Sequence, residues 1–142
     1  MISKISHITV LVKDQDDALD FYIGKLGFEK RTDQTFDGMR WLTVGPRTQQ
    51  DLAVSLVKAD RRNAKYVGKQ TGDIALFTIE TDDCKKEYDT LKSKGVKFVS
   101  EPKDNPWGMD ALLKDLYGNL YDLVQPKPIA MRAAMKTARH KR

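Results

Sequence analysis

A strand-like segment, an acidic helix start and a glycine-closed helix occur twice along this chain at nearly constant spacing. His7-Ile8-Thr9-Val10-Leu11-Val12 leads to an acidic helix start and then to Leu26-Gly27-Phe28. Asp73-Ile74-Ala75-Leu76-Phe77-Thr78 leads to a second acidic start and then to Lys94-Gly95-Val96-Lys97-Phe98. His7 and Asp73 are 66 positions apart, Ser55 and Asp122 are 67 apart, and Gly27 and Gly95 are 68 apart. Offsets that agree through strand, helix and closing strands mark a duplicated unit. Two like modules packed face to face leave a concave space, into which equivalent residues of each half are expected to point.

A length of 142 residues suits one domain with a real core. No apolar run reaches the ~18 residues of a membrane span, and no signal-peptide core follows Met1. The lone Cys84 cannot form an intrachain disulfide, so a reducing, cytoplasmic setting is expected. The net charge of +5 is concentrated in residues 127–142, which hold six Lys or Arg and no acid, so the body stands at −1 (5 − 6). A basic nucleic-acid face within the fold is therefore not expected, and only the tail could serve one.

The alternation predicts β-α-β-β-β over residues 5–57, a linker over 58–72 with a helical turn around Arg61–Tyr66, and β-α-β-β-β again over 73–125. Asp14 to Asp17 and Asp82-Asp83 supply helix-capping side chains, and Gly27 and Gly95 are natural helix stops. The fifth strand is expected over Asp73–Glu80, a loop over Lys103–Gly108, and a turn at Asp115–Asn119. Residues 127–142 read as a basic tail in which Ile129–Ala138 forms either a short helix or a frayed end.

Strand side chains alternate between faces. If Ile8, Val10, Val12, Val54, Leu56, Ile74, Leu76, Tyr121 and Leu123 pack on the helices, the other faces gather His7, Ser55, Asp73 and Asp122. Thr9, Leu11, Phe77 and Val124 line the same faces. An imidazole with two carboxylates, His7, Asp73 and Asp122, is a reasonable set for Mn²⁺, Fe²⁺ or Mg²⁺. The bland readings are a strand histidine paired with Asp122 and a solvated Asp73 at a strand start. Trp41 and Trp107 either line a pocket for a flat ligand or serve as ordinary core. P-loop, dinucleotide and nucleophile-elbow patterns are lacking in the sequence.

The chain resembles the vicinal oxygen chelate superfamily, which includes glyoxalase I, extradiol dioxygenases and bleomycin- and fosfomycin-resistance proteins. The segments that carry the resemblance are Ser6-His7-Ile8-Thr9-Val10, Asp20-Phe21-Tyr22, Leu26-Gly27-Phe28, Leu91 to Phe98, Pro106-Trp107-Gly108 and Asp115 to Leu123. The resemblance covers roughly residues 5–125. It implies an α+β fold of two βαβββ modules in a curved, partly open barrel, a single domain over 1–126, and it places metal ligands at His7, Ser55, Asp73 and Asp122. Ser55 is a poor ligand and Asp73 stands where a histidine is usual, so glyoxalase I activity is not expected.

Two functions follow. One is a protein that binds a small, partly aromatic molecule in the cleft between the modules without metal, using apolar contacts from Leu11, Phe77 and Trp107. The other is a lyase or dioxygenase that uses a divalent Mn, Fe, Ni or Zn ion to chelate a vicinal-oxygen substrate. The chain is expected to work as a homodimer with a small-molecule partner and no membrane.

Overall fold

A computed structural model describes residues 1–128. The expected alternatives for Ile129–Ala138 lie outside the described residues. The chain divides into two units: Met1–Asp73 with the turn Asp115–Asn119, and Ile74–Lys114 with the chain from Leu120 onward.

The first unit contains β1 (His7–Val12), α1 (Gln15–Tyr22), β2 (Glu29–Phe36), β3 (Met39–Gly45) and β4 (Ala53–Lys58). Its sheet runs β1-β4-β3-β2, with β1 parallel to β4 and the other pairs antiparallel. Asp14 caps α1 by accepting from the Asp17 amide at 2.8 Å. The regular helix stops at Tyr22, a turn before the apolar stripe ends, and the chain closes through Leu26 N–H to Phe21 O and Phe28 N–H to Tyr22 O. At the β2–β3 tip Asp37 and Gly38 both take positive φ, the pairing a two-residue hairpin needs. Val10, Val12, Ala18, Tyr22, Leu56 and Val54 are buried between α1 and the sheet. Arg31, at an irregularity in β2, donates to the carbonyls of Leu52, Pro46 and Gln49 and so pins the β3–β4 connection.

The linker does more than connect. It carries a short 3₁₀ turn, Ala64–Tyr66, within the expected helical turn. Beyond it, Gln70 accepts from Leu11 N–H at 2.7 Å and donates to Thr9 O at 3.0 Å. One side-chain amide thus pairs a backbone donor and a backbone acceptor on the edge of β1 that does not face β4. Gly68, at φ 76°, lies so close to Tyr117 that an added Cβ would stand 2.0 Å from the Tyr117 carbonyl oxygen.

The second unit contains β5 (Phe77–Glu80), α2 (Cys84–Ser93), β6 (Lys97–Phe98), β7 (Lys103–Asn105), β8 (Gly108–Lys114) and β9 (Leu120–Pro126). Its sheet runs β5-β9-β8-β6, and β7 pairs with β8. Asp83 caps α2 through the Lys86 amide, and Gly95 follows the helix at φ 88°. The expected α+β architecture of two βαβββ modules is present, with two corrections. Lys103–Gly108 is not a loop, because Lys103, Asp104 and Asn105 pair with Asp110, Met109 and Gly108 in a tight hairpin. The fifth strand begins at Phe77, not Asp73, and Ile74 is 65% exposed where packing on the helix was expected.

The late start changes faces. Phe77 pairs with Tyr121, and their rings lie 4.4 Å apart. Tyr121 is fully buried with Leu113, Leu123 and Ala111. Phe77 therefore shares the helix side, contrary to the expectation that it lines the opposite face. Thr78 takes that opposite position beside Asp122.

Candidate functional site

Strand pairing fixes which residues of the two modules correspond. Thr9 pairs with Ser55 in the first sheet, and Thr78 pairs with Asp122 in the second. Ser55 thus corresponds to Asp122 at an offset of 67 (122 − 55), and Thr9 to Thr78 at 69 (78 − 9). In the same frame His7, paired with Ala53, corresponds to Leu76, whose amide donates to Leu120 O at 2.7 Å. Asp73 falls three residues before that position, exposed and outside β5. The four corresponding positions are thus an imidazole, a hydroxyl, an isobutyl group and a carboxyl. Asp73 therefore does not occupy the strand position that the expected set of His7, Asp73 and Asp122 assigns to it. Among the described residues, no group of three or more His, Cys, Asp and Glu side chains could hold a metal ion.

In the first sheet, the face away from α1 carries a row of hydroxyls. Thr9, Ser55, Thr43 and Thr32 are neighbours in register across all four strands. The Thr43 hydroxyl accepts from the Thr32 amide at 3.1 Å. Ser55 is only 1% exposed, and its Oγ has no hydrogen-bond partner among the described residues. An imidazole and an indole accompany the row: the His7 and Trp41 ring centroids are 5.5 Å apart at 55°. Ser6 Oγ lies 2.8 Å from His7 Nδ1, which leaves Nε2 as the other polar atom of the ring. Leu11 is half-buried further along β1.

In the second sheet, the face away from α2 carries a carboxyl pair. Asp110 sits opposite Val124 and Asp122 opposite Leu112, so the two acids are diagonal neighbours on β8 and β9. Burial first, then the hydrogen bond that protonated Asp122 donates to Asp110 and the charge of Asp110, push the Asp122 carboxyl up to about 6. Asn105 Nδ2 donates to Asp110 Oδ1 at 2.6 Å, which holds that partner in place. Asp122 Oδ1 is buried without a hydrogen-bond partner among the described residues. Within its own unit each of the two residues has a local neighbour, Ser6 Oγ for His7 and Asp110 for Asp122. Trp107 sits at the β7–β8 turn and is 48% exposed. Cys84 is buried, its thiol 3.7 Å from Leu123 O, and burial pushes the thiol pKa up, so it lacks the electropositive setting of a reactive cysteine.

Asp110 is the functional candidate that the sequence reading lacks. An aspartate in Met109-Asp110-Ala111 reads as a solvent-facing strand residue, and only pairing with β9 shows that it abuts Asp122. The hydroxyl row had a weaker signal, since each member is an ordinary strand Ser or Thr until the register aligns them.

Each βαβββ unit carries polar residues on the strand face away from its helix. The sequence model of the Glyoxalase/Bleomycin resistance protein/Dioxygenase superfamily matches residues 4–123, and the chain belongs to that superfamily. An uncharacterised protein of Shewanella frigidimarina is 35% identical over 128 residues, 88% of this chain and 95% of the relative. Among solved structures, UcmS2 aligns with TM-score 0.79 at 35% identity, over 88% of this chain and 99% of its own. TnmS3, an antibiotic-binding protein from Streptomyces sp. CB03234, aligns with TM-score 0.76 at 32% identity, over 89% of this chain and 98% of its own.

Proposed function

We propose that this protein binds a small, partly aromatic molecule on the helix-free faces of its sheets, without a metal ion. The observation that carries this reading is the set of corresponding residues, His7, Ser55, Leu76 and Asp122. It presents a ring, a hydroxyl, an apolar group and a carboxyl that holds its proton up to about 6. Such groups suit hydrogen bonding and apolar contact with an organic molecule better than a divalent cation, which needs several anionic or imidazole donors. The likeness to TnmS3, described as antibiotic-binding, supports the same reading. The proposed protein works as a cytoplasmic homodimer, and the single, buried Cys84 is compatible with a reducing compartment. Light scattering on the purified protein tests the dimer.

Thermal shift separates this function from a metal-dependent lyase or dioxygenase. Mn²⁺, Fe²⁺, Ni²⁺ and Zn²⁺ should leave the melting temperature of untagged protein unchanged, while members of a small aromatic library raise it. A bound ion at a hundredfold excess over its Kd would instead stabilise the fold by ~2.7 kcal/mol. Near-stoichiometric metal in the purified protein, lost on His7→Ala, would overturn the proposal.

A further inference from the structure

The ladder between β3 and β4 stops early. Thr43 pairs with Ser55 and Val44 with Val54, and the pairing goes no further toward the hairpin tip, although β4 runs on to Lys58. An antiparallel ladder exchanges hydrogen bonds at every second residue, so Leu42 and Leu56 are the next pair due. A side chain from α1 stands in the gap instead. Buried Gln15 donates both hydrogens of its amide, one to Leu56 O at 2.9 Å and one to Arg40 O at 3.1 Å. β2 is irregular at the same level: its register shifts between Lys30 and Thr32, which lie opposite Val44 and Thr43. A bulge bends the strand that carries it, so both strands of the hairpin change course along one line. Below that line Arg31 fastens the base to the carbonyls of Leu52, Pro46 and Gln49, and Leu42 is buried in the core. Beyond it, residues 33–41 form a two-stranded ribbon whose ladder is its own, out to exposed Phe36 and Met39.

We infer that residues 33–41 form a hinged flap, latched by Gln15, which carries Trp41 on the helix-free face of the first sheet and controls entry to that face. The motion follows from the strand geometry, and its role in entry rests on the small-molecule reading above. Three contacts hold the flap. Gln15 holds its backbone through Arg40 O. The Arg40 guanidinium grips Asp33 within the flap through Nε and Nη2, and its Nη1 donates to Asp16 on α1 at 2.8 Å. On the other face the Trp41 ring meets that of His7. The Asp16 side chain is 80% exposed, so water and salt screen its ion pair. Gln15 is buried, and removing it takes a donor from two carbonyls that water does not readily reach, which makes it the main latch. Alternation puts Arg40 and Leu42 on the helix side and Trp41 on the opposite side. A latch beneath the sheet therefore sets the place of a ring above it, and Gln15 is a positioning residue that acts through the backbone beside Trp41. A two-stranded ribbon is marginal by itself in water, so the unlatched flap frays.

Two readouts test this: exchange of the flap's amide hydrogens, and quenching of Trp41 fluorescence by acrylamide, a small neutral probe. In parent protein the amides of residues 33–41 should exchange through an opening that low urea leaves unchanged. Amides of α1 and of the β1–β4 ladder should exchange later, at rates that urea raises. Gln15→Met keeps the length of the side chain and removes both donors. It should speed exchange in residues 33–41 at least about tenfold, the worth of one hydrogen bond to a buried group, and leave α1 and the β1–β4 ladder within about twofold of the parent. Asp16→Asn should speed it less, by about two- to threefold. Quenching is read in Trp107→Phe protein, where Trp41 is the sole indole, and Gln15→Met should raise the quenching constant there. Equal acceleration throughout the first unit would overturn the inference, because it would mark Gln15 as a general core residue. So would flap amides that keep the parent rate in Gln15→Met. Flap amides that follow the urea dependence of β4 in the parent would overturn it too, and that measurement decides the matter even if Gln15→Met fails to fold. Faster exchange with unchanged quenching would remove the role in entry and overturn it as well. Neither readout uses a ligand, so the metal titration above tests the small-molecule reading separately.

Discussion

Ser55 and Asp122 occupy the same position in the two modules, and each carries a buried side-chain oxygen with no hydrogen-bond partner among the described residues. Each lies at the middle of its sheet, on the strand paired in parallel with the first strand of its module. Unpartnered buried polar atoms are scarce in folded proteins, because each forfeits hydration without return. The two sites differ in chemistry. Ser55 offers a neutral donor and acceptor, whereas Asp122 offers a carboxyl whose protonation depends on Asp110.

The carboxyl pair makes stability depend on pH in a stated direction. Folded Asp122 keeps its proton up to about 6, whereas an unfolded aspartate releases it near about 3.9. Between those values the folded state binds more protons, so this group's contribution is fully present below about pH 4 and lost as pH rises through about 6. Asp122→Asn can still donate to Asp110 and carries no charge at any pH. It should therefore melt higher than the parent at pH 8 and show a flatter profile between pH 4 and 7. A melting curve for Asp122→Asn that tracks the parent across this range would contradict the pairing.

Asp115 organises the turn that joins β8 to β9. It accepts from Tyr22 Oη at 2.8 Å, from Asn119 Nδ2 at 2.8 Å and from the amides of Tyr117 and Asn119. Asp115→Ala strands these donors in a buried place and should cost about 2–4 kcal/mol by urea unfolding. Tyr22→Phe removes one donor and leaves the rest of the turn intact, so it should cost less than half as much.

Gly68 is held at φ 76° against the Tyr117 carbonyl. Gly68→Ala combines a disfavoured conformation with a clash on backbone, and a loss of about 1–3 kcal/mol is expected from the conformation alone. Gly72→Ala, which also has positive φ but nothing within 4 Å of an added Cβ, provides the control and should cost less.

Cys84 should behave as a buried hydrophobic residue. Its thiol is fully covered, and burial and the carboxylates of Asp110, Asp122 and Asp83 all oppose ionisation. Labelling by a thiol reagent in native buffer should follow the opening of the fold and accelerate with urea. Rapid labelling of the folded protein would show an accessible thiolate instead.

Much of the fold is legible from one sequence because the signals are local. β-branched alternation marks β1 and β4, Asp14 and Asp83 cap helices through their own side chains, and Gly27 and Gly95 end them. These features repeat, so the two βαβββ units could be read directly. Fixing the face of a strand needs its start and its register, and neither is local. Residues 73–76 carry the same alternation as the strand that follows, yet pairing with β9 begins at Phe77, and this moves Phe77 to the core and leaves Asp73 outside. A shift in strand start reassigns faces wholesale, since side chains alternate with period two. The same dependence hides the sites. Asp110 meets Asp122, and the Trp41 ring meets that of His7, only because register places strands distant in sequence side by side. The sequence alone determined which residues could be polar members of a sheet face. Long-range pairing determined which of them meet, because hydrogen bonds between strands, and not the alternation within them, set the row each side chain occupies.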